Sequence, residues 1–496
     1  MTMAAHDDHR NGNGCHHVLL IRAPPEAIRF AALAAIAILA FLWLGRGLPR
    51  IPWASSDSES YLQYSPVRPH GYSLLLSGYR VIFTDLAHLP SVQLVLFVGA
   101  VLLLAVAVRR RTRSFAAAVA TLVVIFAATD TTSFPYVLSD PIYAAALTTG
   151  IAGFILYSDT PRPGFLLLAS AGLGVAVTFR AIGLALLPGF FLAIVLDRIG
   201  RRRGLVSAAA VGTLPIAALC LAAASSQLIH NGRFALGSWG GMDVLGKVPL
   251  LARAVPEANG RLDGFVKAME LGRSKLRQLN PFVEALAARQ YYEFLRWYVI
   301  IPELERCWPD WRDADDYRRG ELAAELAKAY IAQDKLGFAR RTAIDLAGLW
   351  AMPRWLTDRE REAALAEIEA VGELPGLTAF LRTPEAQLEY YKIVPYASDP
   401  TQIAIFRLTV ASFWVLSLGL IAIVLIPQLR AAMMTPDLVL ILVTVHAIYI
   451  GTALMECAET RYIMPTWPTL VAGPILAFWL FRRLRSETPS LGCGLL

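Results

Sequence analysis

Six apolar runs, at 27–44, 91–108, 205–224, 404–427, 437–455 and 462–480, are each long enough to cross the roughly 30 Å hydrocarbon layer of a bilayer as a single helix. Within that layer a backbone N–H or C=O finds no water, so such a run closes its hydrogen bonds on itself as an α-helix. Four further stretches are shorter or interrupted: 114–129, 137–157, 163–179 and 181–196. The last two form one apolar stretch broken by Arg180 and closely followed by Gly183. It reads either as two short helices meeting at that arginine or as one tilted helix. Charged residues make up 17% of the chain and mean hydropathy is +0.49, against about 25% charge in a soluble domain. A fully soluble protein and a disordered one are both excluded. The expected fold class is an all-α polytopic membrane protein of about ten transmembrane helices.

Arginine gives the expected orientation. Ten spans place both termini on one side, and the segments on that side carry fifteen arginines (among them Arg109, Arg110, Arg111, Arg198, Arg201 and Arg482). The short loops on the other side carry six: Arg46, Arg50, Arg68, Arg80, Arg180 and Arg461. The positive-inside rule therefore places both termini in the cytoplasm. Arginine and alanine used in place of lysine suggest a GC-rich bacterial genome, hence a bacterial inner membrane. The expected division is a cytoplasmic tail over 1–26, a membrane domain of about seven spans over 27–226, an extracytoplasmic domain over 227–402, further spans over 403–481 and a cytoplasmic tail over 482–496.

Segment 227–402 is too long for a plain connection. Its stretches 262–279, 282–298, 318–350 and 357–370 are rich in Ala, Leu, Glu and Arg, with apolar residues three and four apart. That pattern predicts amphipathic helices, so the outer domain is expected to be mostly helical. The five cysteines show no CxxC spacing, which argues against a disulfide framework, a zinc site or a thioredoxin motif. Nothing in the sequence points to nucleic acid.

The outer loop 45–90 mixes acids, an arginine, a histidine and tyrosines: Asp57-Ser-Glu59-Ser-Tyr61, then Arg68-Pro-His70-Gly-Tyr72-Ser73. This loop resembles that of the GT-C superfamily of membrane glycosyltransferases, which includes protein O-mannosyltransferases and lipid A aminoarabinose transferases. Those enzymes carry Asp-x-x-x-Tyr and then Arg-Pro-Pro-Gly-Tyr-Pro in the first extracytoplasmic loop. Leu138-Ser-Asp140-Pro141, Thr178-Phe-Arg180-Ala-Ile-Gly183 and Glu459-Thr-Arg461-Tyr462-Ile-Met-Pro465 are similar to three further family elements, in the family's order. His70 and Ser73 stand where the family has prolines, and Asp140 where glutamate is common. The resemblance covers roughly 27–226 and 404–481 and leaves out the large loop.

It implies a GT-C-like bundle that transfers a sugar from a polyprenyl-phosphate donor to a lipid, glycan or protein acceptor at the periplasmic face. Asp57, Glu59 and Asp140 are then the candidate catalytic acids, with Asp57 preferred as general base. Arg68, His70, Arg180 and Arg461 are the candidate ligands of the donor phosphate, and Tyr61, Tyr72 and Glu459 the candidate substrate contacts. The chemistry fits these residue types. A guanidinium grips phosphate oxygens at two points, and a carboxylate can take the acceptor's proton. Each arginine could equally be snorkelling to headgroups. Asp140 could ligate a divalent cation with Asp57 or Glu59, or cap a helix with Pro141 at its first position. Two other readings stand beside this one. A transporter or lipid flippase would place ionisable groups near mid-membrane, and a polysaccharide polymerase or ligase would lack the Asp57–Arg68 pairing.

Overall fold

The computed structural model describes residues 25–55, 57–129, 131–201, 204–238, 240–247, 274–294, 296, 300–351, 357–372, 400–424, 435–455 and 460–487. Among them the chain is helical throughout, with one isolated bridge between Trp53 and Tyr136. Helices α1 (Pro25–Leu44), α2 (Ser58–Leu62), α3 (Gly71–Phe83), α4 (Leu89–Thr112), α5 (Phe115–Ala127), α6 (Asp140–Asp159), α7 (Pro163–Phe179), α8 (Leu187–Arg201) and α9 (Leu205–Asn231) form the first half. The large loop contains α10 (Gly240–Lys247), α11 (Pro281–Phe294), α12 (Ile301–Cys307), α13 (Pro309–Arg312), α14 (Asp316–Gln333), α15 (Lys335–Ala351) and α16 (Asp358–Ala370). The chain ends with α17 (Pro400–Val424), α18 (Pro436–Met455), α19 (Thr460–Ile463) and α20 (Trp467–Glu487).

Among the described residues, eight helical stretches are long and apolar enough to cross a membrane: 26–47, 89–112, 140–159, 181–201, 205–231, 400–422, 436–455 and 464–483. The protein is an all-α, multi-pass membrane protein. Two of the ten expected spans are shorter apolar helices, α5 with 13 residues and α7 with 17. At 1.5 Å per residue they reach about 20 and 26 Å. Both pack one face against neighbouring helices, while Val123 of α5 and Leu167 of α7 stay exposed.

Contacts at the helix ends show that α4, α6 and α8 run one way and α1, α9 and α18 the other, with the short α5 and α7 returning the chain between them. At one end Glu26 meets Arg109, Arg111 meets Asp437 at 2.7 Å and Arg201 reaches the Ser158 carbonyl at 2.5 Å. At the other end Arg180 meets Asp140, Gln227 meets the Arg68 carbonyl, and Lys247 meets the Ala453 carbonyl. α6 runs through the middle and is buried on nearly every side.

The interrupted stretch is two helical pieces. α7 stops at Phe179, Arg180 is extended at φ −144° and ψ 129°, and a short 3₁₀ turn over Ala181–Leu186 leads into α8. Gly183 allows the fold-back, since a Cβ there would lie 2.7 Å from the Val177 Cα.

The loop helices other than α15 gather around their own core of Met242, Leu245, Val283, Leu304, Trp311, Leu322 and Tyr330. The single stretch expected over 318–350 is two helices. Asp334 ends α14, and its carboxylate accepts a 2.7 Å hydrogen bond from the Gly337 N–H, which starts α15. An acid that caps the next helix outweighs continuous helical periodicity here. Residues 262–273 of the first expected loop helix lie outside the described residues.

Candidate active site

Backbone pairing brings the first loop to the start of α6. The Trp53 N–H donates to the Pro135 carbonyl at 2.8 Å, and the Val137 N–H donates to the Trp53 carbonyl at 3.1 Å. Ser58 Oγ–H adds a 3.0 Å bond to the Val137 carbonyl. α2 is thereby held over Ser139, and the Tyr61 hydroxyl lies 2.9 Å from Ser139 Oγ. Close approach supplies the other side of the site. A Cβ on Gly71 would lie 2.6 Å from the Thr178 carbonyl, so glycine lets α3 begin directly against the end of α7, two residues from Arg180.

Two acid–arginine pairs result. Arg180 Nη2 donates to Asp140 Oδ2 at 2.5 Å, with both side chains 5% exposed. Arg68 Nη2 donates to Asp57 Oδ1 at 2.5 Å, with side chains 23% and 16% exposed. Arg68 also lies over the Tyr61 ring at 5.8 Å, and Arg180 over the Tyr462 ring at 4.5 Å. Tyr61 therefore links the two pairs, through its ring to Arg68 and through its hydroxyl to Ser139, the residue beside Asp140. The Nε and Nη1 of Arg180 are buried and have no hydrogen-bond partner among the described residues. Tyr143, one turn along α6, lies near enough to feel the charges of both Arg180 and Asp140. On the other flank of Asp140 an apolar cleft opens, lined by Phe97, Phe134, Pro141, Ala144, Met464 and Trp467.

The capping alternative for Asp140 does not hold. Ser139 is the cap residue, it makes no side-chain cap bond, and the Asp140 carboxylate points to Arg180 instead. No group of three or more His, Cys, Asp or Glu side chains gathers as a metal site among the described residues. Asp57 and Asp140 each spend an oxygen on a guanidinium.

Four other candidates sit differently from expectation. His70 is fully buried, with Nδ1 3.0 Å from Ser226 Oγ and Nε2 3.0 Å from the Tyr64 carbonyl. Nδ1 ties the loop to α9 and Nε2 closes the loop on itself, so both nitrogens of this expected phosphate ligand are taken up in a clasp. Tyr61 and Tyr72 are buried and packed edge to face at 5.0 Å. The Tyr72 hydroxyl donates to Gln93 Oε1 at 3.1 Å, and Gln93 Nε2 donates to the Phe134 carbonyl at 3.0 Å. Burial, with Tyr61 and Asp140 beside it, holds the Tyr72 phenol well above its ordinary value, so it keeps its proton. These tyrosines build the floor of the site rather than reach into it. Glu59 is exposed and accepts a 2.7 Å bond from Gln63 Nε2. Two residues of α2, about 200° around the helix, turn it away from Asp57. Glu459 and the side chain of Arg461 lie outside the described residues.

Sequence reading missed the supports. Gln93 is a lone amide in the apolar run of α4, a costly placement that signals a partner. Gln227 gives no such signal, being at the end of a span. Its Nε2 donates to the Arg68 carbonyl at 2.8 Å, and its Oε1 accepts from the Tyr317 hydroxyl at 2.5 Å. One amide thus joins the loop, α9 and the large domain.

The His70 clasp has a pH signature. Burial, the largest influence, holds its imidazole below the ordinary 6.5, although the carbonyls of Ser65 and Tyr64 favour the proton. The unfolded chain is then the better proton binder. Stability from this source is complete above the unfolded value and is lost as pH falls below 6.5 toward the folded one. Thermal unfolding of the purified protein should therefore show Tm falling between neutral pH and pH near 5. His70→Asn should flatten that slope, and an unchanged slope would assign it to other groups.

Comparison of the chain with protein-family models, curated proteins and solved structures returned no match. The functional reading rests on these residues.

Proposed function

We propose that this protein is an integral-membrane glycosyltransferase that moves a sugar from a polyprenyl-phosphate carrier to a hydroxyl-bearing acceptor, with the arginine-rich end of the bundle and both termini in the cytoplasm. One observation carries the reading. Arg180 interrupts an apolar stretch, is buried beside Asp140, and keeps two N–H groups without a partner among the described residues. Desolvating a guanidinium costs several kcal/mol even after relaxation, by order of magnitude. One carboxylate offsets part of that cost, and a phosphate oxyanion at Nε and Nη1 would offset the rest. Snorkelling does not account for a side chain this enclosed.

In the reaction the acceptor hydroxyl attacks the anomeric carbon while the C–O bond to the carrier phosphate breaks. Arg180 holds the phosphate as its charge grows. Arg68 stands ready at the second pair. Asp57 takes the acceptor's proton, and one displacement inverts the anomeric centre. His70, Tyr61 and Tyr72 hold the loop that carries Asp57 and Arg68. The long carrier chain lies in the bilayer and its phosphate at the boundary, which matches a site at one end of a helical bundle.

The test is direct. Purified protein in liposomes is incubated with a panel of polyprenyl-phosphate sugars and with membrane extract as acceptor. The expected result is loss of one donor together with the added mass of one sugar on an acceptor. Failure of every donor to be consumed or bound would sink the proposal.

A further inference from the structure

The large loop does not stay above the membrane. We infer that the second half of α15, from about Ala343 to Ala351, is a re-entrant helix whose outer face contacts the acyl chains of the bilayer.

Depth is the first observation. The Trp350 ring stacks on Tyr449 at 4.0 Å and lies 4.9 Å from Trp414, 5.4 Å from His446 and 6.0 Å from Phe413. Phe413 is the fourteenth residue of the 25 in α17, and His446 the eleventh of the 20 in α18. Trp350 therefore lies deep within two spans, between the levels of Tyr449 and His446, roughly 9–14 Å below the Met455 end at 1.5 Å per residue. Thr342, two turns earlier, shares Lys247 with the Ala453 carbonyl near that end. α15 thus descends antiparallel to α18. The chain then rises again, because Glu360 in α16 pairs with Arg407, the eighth residue of α17, at 2.7 Å.

The surface chemistry agrees. Beyond Arg340, the exposed positions of α15 are Ala343, Ala347 and Ala351. A helix facing water on one side carries polar residues there, and this stretch has none. Its polar groups turn inward. Asp345 is fully buried between Arg341 at 2.6 Å and Lys247 at 2.8 Å, and Arg341 also reaches Glu284 at 3.0 Å. Inward pairing of charges is what a helix requires on passing into hydrocarbon. Ile344 and Leu349 join the core of the membrane bundle, not that of the loop domain. The two spans that Trp350 packs against also expose apolar side chains, Val415 and Leu418 on α17 and Ile450 and Leu454 on α18.

The experiment uses the full chain with its five cysteines replaced, in phosphatidylethanolamine–phosphatidylglycerol vesicles. Single cysteines at Ala332, Ala343, Ala351 and Val415 carry a nitroxide, and relaxation by oxygen is compared with relaxation by a water-soluble nickel chelate. Exchanging an exposed alanine for cysteine is mild enough to leave the fold intact. The expected oxygen-to-nickel ratio rises along 332, 343 and 351, and at 351 it matches Val415 and exceeds Ala332 severalfold. A ratio at 351 equal to that at 332 would place α15 in water and overturn the inference. Low access to both reagents at 351, with cross-linking between chains there, would also overturn it by naming a second copy as the occupant.

Discussion

Arg180→Ala is expected to abolish use of the phosphate-linked donor. Two charge-assisted hydrogen bonds of about 1.5–3 kcal/mol each would be lost, roughly a hundred- to ten-thousand-fold in affinity at 1.4 kcal/mol per tenfold. The same change removes the guanidinium from a carboxylate that is 4% exposed, and breaking a buried pair from one side costs about 3–5 kcal/mol of stability. A loss of activity could then be a loss of folding. The paired variant Arg180→Met with Asp140→Asn separates the two effects, because it removes both charges and keeps the volume. It should unfold at close to the parent temperature and still fail to bind donor. Binding of the polyprenyl-phosphate sugar by this variant, measured by isothermal titration in liposomes, at parental affinity would return Arg180 to a purely structural role.

The second large effect belongs to Asp57. Asp57→Asn should lower turnover by about 10²–10⁴, the usual contribution of general-base catalysis, with donor affinity nearly unchanged. Glu59→Gln should be close to neutral, since that carboxylate is exposed and engaged by Gln63. Because Asp57 and Arg68 are partly exposed, the variant should lose little stability. The split between kinetic constants is decisive. A fall in kcat at constant donor KM assigns the proton transfer to Asp57. A rise in donor KM with kcat unchanged would mean that Asp57 only orients Arg68 for the phosphate.

Much of this was legible from residue order. The apolar runs could only be helices, because a backbone in hydrocarbon must satisfy itself. The interruption at Arg180 left two short helices or one tilted helix open, and the helix breaks there with Arg180 in extended conformation. The helical character of the large loop followed from its periodicity, apart from the break at Asp334. Asp57, Arg68, Asp140 and Arg180 could be singled out as charges at one end of the spans.

Partnership could not. Arg180 and Asp140 are 40 residues apart, and residue order does not pair them; the close approaches at Gly71 and Gly183 fix where α3 and the 3₁₀ turn sit. The resemblance of the first loop to the GT-C loop makes His70 an expected phosphate ligand. Only the packed structure shows both ring nitrogens already used by Ser226 and the Tyr64 carbonyl. Likewise α15 has the amphipathic pattern of a soluble helix, and its alanine face becomes meaningful once Trp350 is seen between the levels of Tyr449 and His446. The difference is physical. Helix formation in a membrane is decided by each segment's own backbone and its solvent, so sequence alone determines it. Which buried charge meets which, and which nitrogens are left over for a ligand, depends on distances between segments far apart in the chain, and only the tertiary structure decides those.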